Sequence, residues 1–118
     1  MRDAAARWVQ HYITAWGSNE PDDIRALFTE DAVYFTRPDE AEPWRGREQI
    51  VERWLAARDE PGDWTFEWKL LALDGGRAFV QGLTTYQGDR RSYDNLWIIQ
   101  LTADGRASSF TEWYMPRK

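Results

Sequence analysis

The stretch Leu27-Phe28-Thr29-Glu30-Asp31-Ala32-Val33-Tyr34-Phe35 changes its hydrophobic period partway along, and the reading of that change decides the fold. Before it, apolar residues recur at helical spacing; from Ala32 onward β-branched and aromatic residues take over until Pro38 closes the run. Glu30-Asp31 are expected to end a helix. Val33, Tyr34, Phe35 and Thr36 suit a pleated, half-buried surface, so a strand is predicted over residues 32–36.

Upstream, Ala5, Trp8, Val9, Tyr12, Ile13 and Trp16 follow i, i+3, i+4 spacing and predict an amphipathic helix over residues 2–16, stopped by Gly17-Ser18-Asn19. Pro21 with Asp22 and Asp23 opens a second, short helix, because proline suits a first turn and acids suit the positive end of the helix dipole. Ile24, Leu27 and Phe28 form its buried side. Downstream, the acidic, proline-rich residues 37–43 read as a loop, and Trp44-Arg45-Gly46 precedes a third helix over residues 47–58, with Ile50, Val51, Trp54 and Leu55 as one apolar stripe. Residues 59–63 end it. The rest is strand and turn: residues 64–74, 77–87, 92–102 and 107–115 are strands, joined at Asp74-Gly75-Gly76, Gly88-Asp89 and Asp104-Gly105. Three helices in the N-terminal half, followed by an antiparallel meander, give the α+β class with the helices on one face of the sheet.

At 118 residues the chain is read as one domain, residues 1–118, large enough for its own core. The net charge is −5 with both signs dispersed and no basic stripe, so no nucleic-acid partner is expected. Cysteine is absent, which excludes disulfides and thiolate chemistry, and His11 is the only histidine. No cluster of carboxylates at ligand spacing replaces them, so neither a metal nor another cofactor is expected. No apolar stretch approaches the roughly 20 residues of a membrane span, and Met1-Arg2-Asp3 begins a helix pattern with no signal-peptide core. A soluble, cytoplasmic protein without a membrane partner is the expectation.

Eight tryptophans stand out, at Trp8, Trp16, Trp44, Trp54, Trp64, Trp68, Trp97 and Trp113. Each indole N–H needs an acceptor when buried, so some of these residues are expected to line a pocket or an interface.

The chain resembles the nuclear transport factor 2-like superfamily, in its SnoaL-like branch. The residues carrying the resemblance are Tyr12, Leu27-Phe28 with Glu30-Asp31-Ala32-Val33, Pro43-Trp44-Arg45-Gly46 with Gln49-Ile50, Asn95-Leu96-Trp97, Asp104-Gly105-Arg106 and Glu112-Trp113. Their order spans nearly the whole chain. The resemblance implies a strongly curved, antiparallel or mixed sheet wrapped around the helices into a cone, with a ligand cavity at its open end. The same family holds isomerases, dehydratases, epoxide hydrolases, polyketide cyclases and members with no catalysis, so the residues must be weighed individually.

Strand parity decides which side chains share a cavity. If Trp97 faces the helices, so do Tyr93, Asn95, Ile99 and Leu101, with Phe110, Glu112 and Tyr114 from the last strand and Tyr34 and Thr36 from the first. Tyr12, Trp8, Trp16 and Trp54 are the helical contributions. The expected ligand is a small apolar or aromatic molecule, with residues 37–43 over the cavity mouth. Glu112 is the first catalytic candidate, because a carboxylate among Trp97, Phe110 and Tyr114 is desolvated and its pKa rises toward neutrality. The alternative is that Glu112 faces solvent or pairs with Arg45 or Arg91. Tyr12 and Asn95 are the accompanying catalytic candidates, with Trp8, Trp16, Tyr34, Thr36, Trp54, Trp97, Phe110 and Tyr114 binding substrate.

Tyr12 matches the position at which ketosteroid isomerases place an oxyanion-binding tyrosine. Their catalytic aspartate base corresponds to Thr36 or Arg37 ahead of Pro38, and their second, protonated aspartate to Trp97, so steroid isomerisation of that type is not expected. For an epoxide-hydrolase pattern, Asp94 has outward parity. His11 sits beside the apolar stripe, where a surface role is expected and a general-base role is the alternative. On the strand from Trp64, Trp64, Phe66, Trp68 and Leu70 share one face, while Glu67 and Lys69 share the other with Leu71 and Leu73. Apolar residues on both faces predict a homodimer packed through the outer sheet face. An isomerase, cyclase, dehydratase or hydrolase working without cofactor is the leading functional expectation. A non-catalytic binding domain is the rival, and a dimerisation domain with its pocket packed shut by tryptophan is the third possibility.

Overall fold

The period change at Ala32 lies inside a strand rather than at its start. In the computed structural model, which describes residues 2–88 and 91–117, the order is α1 (Arg2–Ser18), α2 (Pro21–Arg25), β1 (Phe28–Phe35), β2 (Trp44–Arg45), α3 (Arg47–Ala56), β3 (Trp64–Asp74), β4 (Arg77–Tyr86), β5 (Ser92–Leu101) and β6 (Ala107–Pro116). Met1 and Asp89, which entered the sequence reading as chain start and turn, lie outside the described residues. The six strands form one sheet in the order β2-β1-β6-β5-β4-β3, with β1 parallel to β6 and every other neighbouring pair antiparallel. The sheet is mixed and does not close, and the helices pack against it in the α+β arrangement expected.

Most boundaries shift by one or two residues from the sequence reading, with α1 running on to Ser18 and α3 ending at Ala56, and the largest change lies between α2 and β1. α2 stops at Arg25, and Phe28 is buried as the first residue of β1 instead of the last of a helix. Glu30 and Asp31 are exposed inside β1, where its register with β6 shifts between Phe28 and Val33. Two adjacent acids have no place in the core, and a bulge keeps both in water while Ala32 and Tyr34 return inward. β2, too short to show a period, escaped the reading altogether.

α1 ends where Asn19 adopts a left-handed conformation, φ 53°, and donates its backbone N–H to the Ala15 carbonyl at 2.8 Å. Its buried face carries Ala5, Trp8, Val9, Tyr12 and Ala15. These pack on Phe28, Val80, Trp97, Ile99 and Phe110 of the sheet. β5 alternates as parity requires, with Asn95, Trp97, Ile99 and Leu101 buried.

The outer face departs from expectation on β3. Its register with β4 shifts between Leu70 and Ala72, which turns Leu73 inward against the core and leaves Leu71 outside, 49% exposed. The apolar surplus outside lies instead at the end of β6, where Trp113 and Met115 are 45% and 66% exposed.

One glycine holds the inner face together. A Cβ added to buried Gly82 on β4 would sit 2.4 Å from the Phe66 ring, and that ring stacks on Trp97 with centroids 4.7 Å apart and planes 15° apart. Only a residue without a side chain lets Phe66 cross β4 to reach Trp97. Gly82→Ala is therefore expected to lower stability by about 1–3 kcal/mol in urea unfolding; unchanged stability would show that Phe66 is free to relocate.

Candidate functional site

Register between β5 and β6 sets Trp97 directly opposite Glu112. Glu112 Oε2 accepts hydrogen bonds from Asn95 Nδ2 at 2.9 Å and from Trp97 Nε1 at 3.3 Å. Asn95 is itself oriented by Thr84, whose hydroxyl donates to Oδ1 at 2.7 Å. Among the described residues no hydrogen bond reaches Glu112 Oε1. Burial pushes the carboxyl up to about 7; the bonds from Trp97 and Asn95 pull it back in part, and the negative charge of Asp59 adds to the rise. The desolvated carboxylate expected from parity is present.

Across from it the Tyr12 and Tyr34 hydroxyls share a hydrogen bond of 2.7 Å. Tyr34 stacks on Trp44 at 4.6 Å. Burial, first, and the Glu112 charge raise both phenols well above their ordinary value, although the bond to Tyr12 partly lowers Tyr34. Both hydroxyls therefore stay protonated and can donate.

These groups line a cavity of about 710 Å³. Trp16, Trp54 and Trp97 contribute from α1, α3 and β5, and Thr36 from the loop after β1. The cavity holds a second carboxylate, Asp59, just beyond α3. Its Oδ2 accepts from Trp16 Nε1 and from the Tyr86 hydroxyl, both at 3.0 Å, and its backbone carbonyl accepts from Asn19 Nδ2 at 3.0 Å. Arg58, Arg91, Tyr93 and Tyr114 complete the outer part of the lining.

Of the expected site residues, Glu112, Tyr12, Asn95, Trp16, Tyr34, Thr36, Trp54, Trp97 and Tyr114 reach this cavity. Trp8 and Phe110 do not. Both are sealed in the core, 1% and 0% exposed; Trp8 spends its N–H on the Leu27 carbonyl at 2.9 Å, and Phe110 packs against Trp8, Tyr12 and Trp97. They support the cavity wall from behind. Asn95 uses Oδ1 for Thr84 and an amide proton for Glu112, so it positions the carboxylate. Thr36 is bound by the Glu40 carboxylate through its backbone N–H and hydroxyl, at 2.9 and 2.7 Å, which folds the loop back on itself. Residues 37–43 do not line the cavity. Tyr114 is 57% exposed and stands at the rim. His11 is exposed, and Asp94 lies outside the cavity, bonded to Arg117 at 3.2 Å.

The sequence reading missed Asp59, Thr84 and Tyr86. Thr84 and Tyr86 share the inward parity of β4 and were within reach of the same rule. Asp59 was not, because it lies in an acidic helix-ending segment that looks like punctuation. An open cavity also sets aside the possibility of a pocket packed shut by indoles. Among the described residues no group of three His, Cys, Asp or Glu side chains converges as a metal site, and no helix is long and apolar enough to cross a membrane.

The profile of the SnoaL-like domain matches residues 9–110. The chain belongs to the SnoaL-like domain family. This SnoaL-like domain, of the nuclear transport factor 2-like superfamily, has no match among curated proteins. In structure it is similar to a candidate ketosteroid isomerase from Kribbella flavida, with 25% identity, TM-score 0.73, and 98% of this chain and 81% of that one covered. It is also similar to a steroid delta-isomerase from Pseudomonas aeruginosa (20% identity, TM-score 0.67, 96% and 80% covered) and to an epoxide hydrolase from M. tuberculosis (18%, TM-score 0.65, 96% and 84%).

The raised Glu112 pKa has a measurable consequence for the stability of this SnoaL-like domain. The folded chain keeps a proton up to about pH 7 that a free glutamate, at 4.5, releases earlier. This contribution is full below pH 4.5 and is lost as pH rises through 7. Glu112→Gln is thus expected to be more stable than the parent above neutrality by about 2–3 kcal/mol and nearly equal to it in acid, as read from denaturant melts across pH. A pH-independent difference would contradict the buried carboxyl.

Proposed function

We propose that this SnoaL-like domain is an enzyme that moves a proton beside a carbonyl of a small apolar or aromatic molecule, with Glu112 as base and the Tyr12–Tyr34 pair as hydrogen-bond donor to the oxygen that gains charge. The observation that carries this reading is Glu112 itself: an enclosed carboxyl, titrating near neutrality, fixed through one oxygen with the other left for a ligand. A base of this pKa is half ionised at neutral pH and matched to proton abstraction. Protonated tyrosines held in a buried hydrogen bond stabilise developing negative charge with little reorganisation. Return of the proton at another carbon gives isomerisation, attack of the carbanion on a second carbonyl gives cyclisation, and loss of hydroxide gives dehydration. None of these steps calls on a group other than the side chains named.

The enzyme names among the structural neighbours, which include isomerases, an epoxide hydrolase and an epoxide hydrolase/cyclase-like enzyme, support this general class. The steroid-isomerase arrangement is not part of this reading, since Thr36 or Arg37, and Trp97, stand where the resemblance would place that enzyme's carboxyl groups. Here the acid lies one strand away, opposite Trp97. A binding domain without turnover is the competing reading.

Deuterium uptake at the activated carbon of 2-tetralone in heavy water, followed by proton NMR, tests the proposal. The parent is expected to accelerate exchange with a rate that rises with pH through about 7, since the ionised form is the base. Glu112→Gln should lose about 100-fold or more, and Tyr34→Phe about tenfold. Equal exchange by parent and Glu112→Gln would remove Glu112 from the chemistry, and no exchange over a panel of aryl ketones would favour the binding domain.

We also propose that a second copy covers the outer sheet face, where Trp113 lies beside Leu96 and Met115 beside Asp94. Sedimentation at micromolar concentration is expected to give a dimer that Trp113→Glu dissociates; a monomeric parent would end this idea.

A further inference from the structure

The two carboxylates of the cavity are built alike. Each is held by an indole N–H and one further donor on a single oxygen: Trp97 Nε1 and Asn95 Nδ2 on Glu112 Oε2, Trp16 Nε1 and the Tyr86 hydroxyl on Asp59 Oδ2. In each the other oxygen receives no hydrogen bond from the described residues. Glu112 has its use in the proposed chemistry, whereas Asp59 has none.

We infer that Asp59 is the anchor for a positively charged group of the ligand, a protonated amine on the aromatic or apolar molecule that the cavity takes. Three features favour a cation there. The carboxylate's other oxygen receives no hydrogen bond from the described residues. The cavity wall that Asp59 shares is aromatic, with Tyr12, Trp16, Tyr34, Trp54 and Tyr86 in its lining, the residue types whose rings can receive an ammonium group. The carboxyl end of α3, the negative end of its dipole, lies three residues before Asp59.

Two arginines also line the cavity, and their positions decide against an anionic ligand. Arg58 donates to the Leu55 carbonyl at 3.0 Å and so caps the end of α3, while Arg91 is exposed at the rim. Charges in water are screened, whereas Asp59 and Glu112 act from less exposed positions inside the cavity. The net charge of −5 biases long-range attraction in the same direction.

The inference shares with the proposed function only the cavity as ligand site, and its test needs no turnover. Three probes of one shape, 2-(1-naphthyl)ethylammonium, 2-(1-naphthyl)ethanol and 1-naphthylacetate, are titrated by calorimetry at neutral pH. The ammonium probe is expected to bind at least about tenfold more tightly than the alcohol, and naphthylacetate most weakly. Asp59→Asn should bring the ammonium probe to within about twofold of the alcohol while leaving the alcohol unchanged. Equal binding of ammonium and alcohol by the parent, or tightest binding of naphthylacetate, overturns the inference without any variant having to fold. Retention of the preference in Asp59→Asn overturns the role of Asp59. Glu112→Gln that loses exchange yet keeps the ammonium preference separates this inference from the catalytic one.

Discussion

An ionisable carboxyl can sit among aromatic rings only if donors are waiting for it, and that constraint governs this structure. Glu112 meets it through Trp97, its cross-strand partner, and Asn95, which Thr84 holds in the one amide orientation that presents Nδ2 to the carboxylate. The arrangement requires the β5–β6 register to be kept. A slip of one residue would carry Glu112 to the outer face and bring Trp113 inside. The pairing of β4 with β5, the crossing of Phe66 over Gly82 and the stacking of Phe66 on Trp97 all hold that register from the other side.

The tryptophans divide by what their N–H groups do. Trp8 uses its N–H to join α1 to the Leu27 carbonyl, at the start of β1, a structural bond. Trp16 and Trp97 direct theirs to the cavity carboxylates, and Trp54 donates to Asn19 Oδ1 at 3.2 Å, tying α3 to the end of α1. Trp44 and Trp64 offer faces, stacked on Tyr34 and Trp16 respectively. Indole suits this domain because one residue supplies both a large apolar surface and one directed donor. Asn19 joins the two uses: its left-handed backbone ends α1, and its amide holds both Trp54 and the Asp59 carbonyl.

The SnoaL-like fold leaves chemistry to whichever residues line its cavity. Here the positions that the resemblance would assign to the acids of steroid isomerases, Thr36 or Arg37 and Trp97, carry no acid, and the carboxyls lining the cavity are Glu112 and Asp59. Tyr12 on α1 is paired with Tyr34, and burial raises both phenols. Fold resemblance therefore predicts where the cavity lies better than which groups line it.

Much of this was legible in the chain itself. Helical spacing fixed α1 and α3, turn residues fixed the meander, and period-two alternation placed Asn95, Trp97 and Glu112 on one face, because each of these follows from local geometry within a single element. What the sequence did not show lies between elements. Parity set Phe110 beside Glu112 without distinguishing a residue behind the wall from one on it, and the spacing of α1 did the same for Trp8. The bulges at Glu30-Asp31 and at Leu71 arise where solvation of acids or packing of the next strand overrides simple alternation. Asp59 enters the cavity because Trp16, Tyr86 and Asn19, distant in sequence, converge on it. The sequence determined the elements apart from β2, and their inner faces where no bulge intervenes; the tertiary structure alone decided which inner residues meet open space, because that depends on how far each helix stands from the sheet.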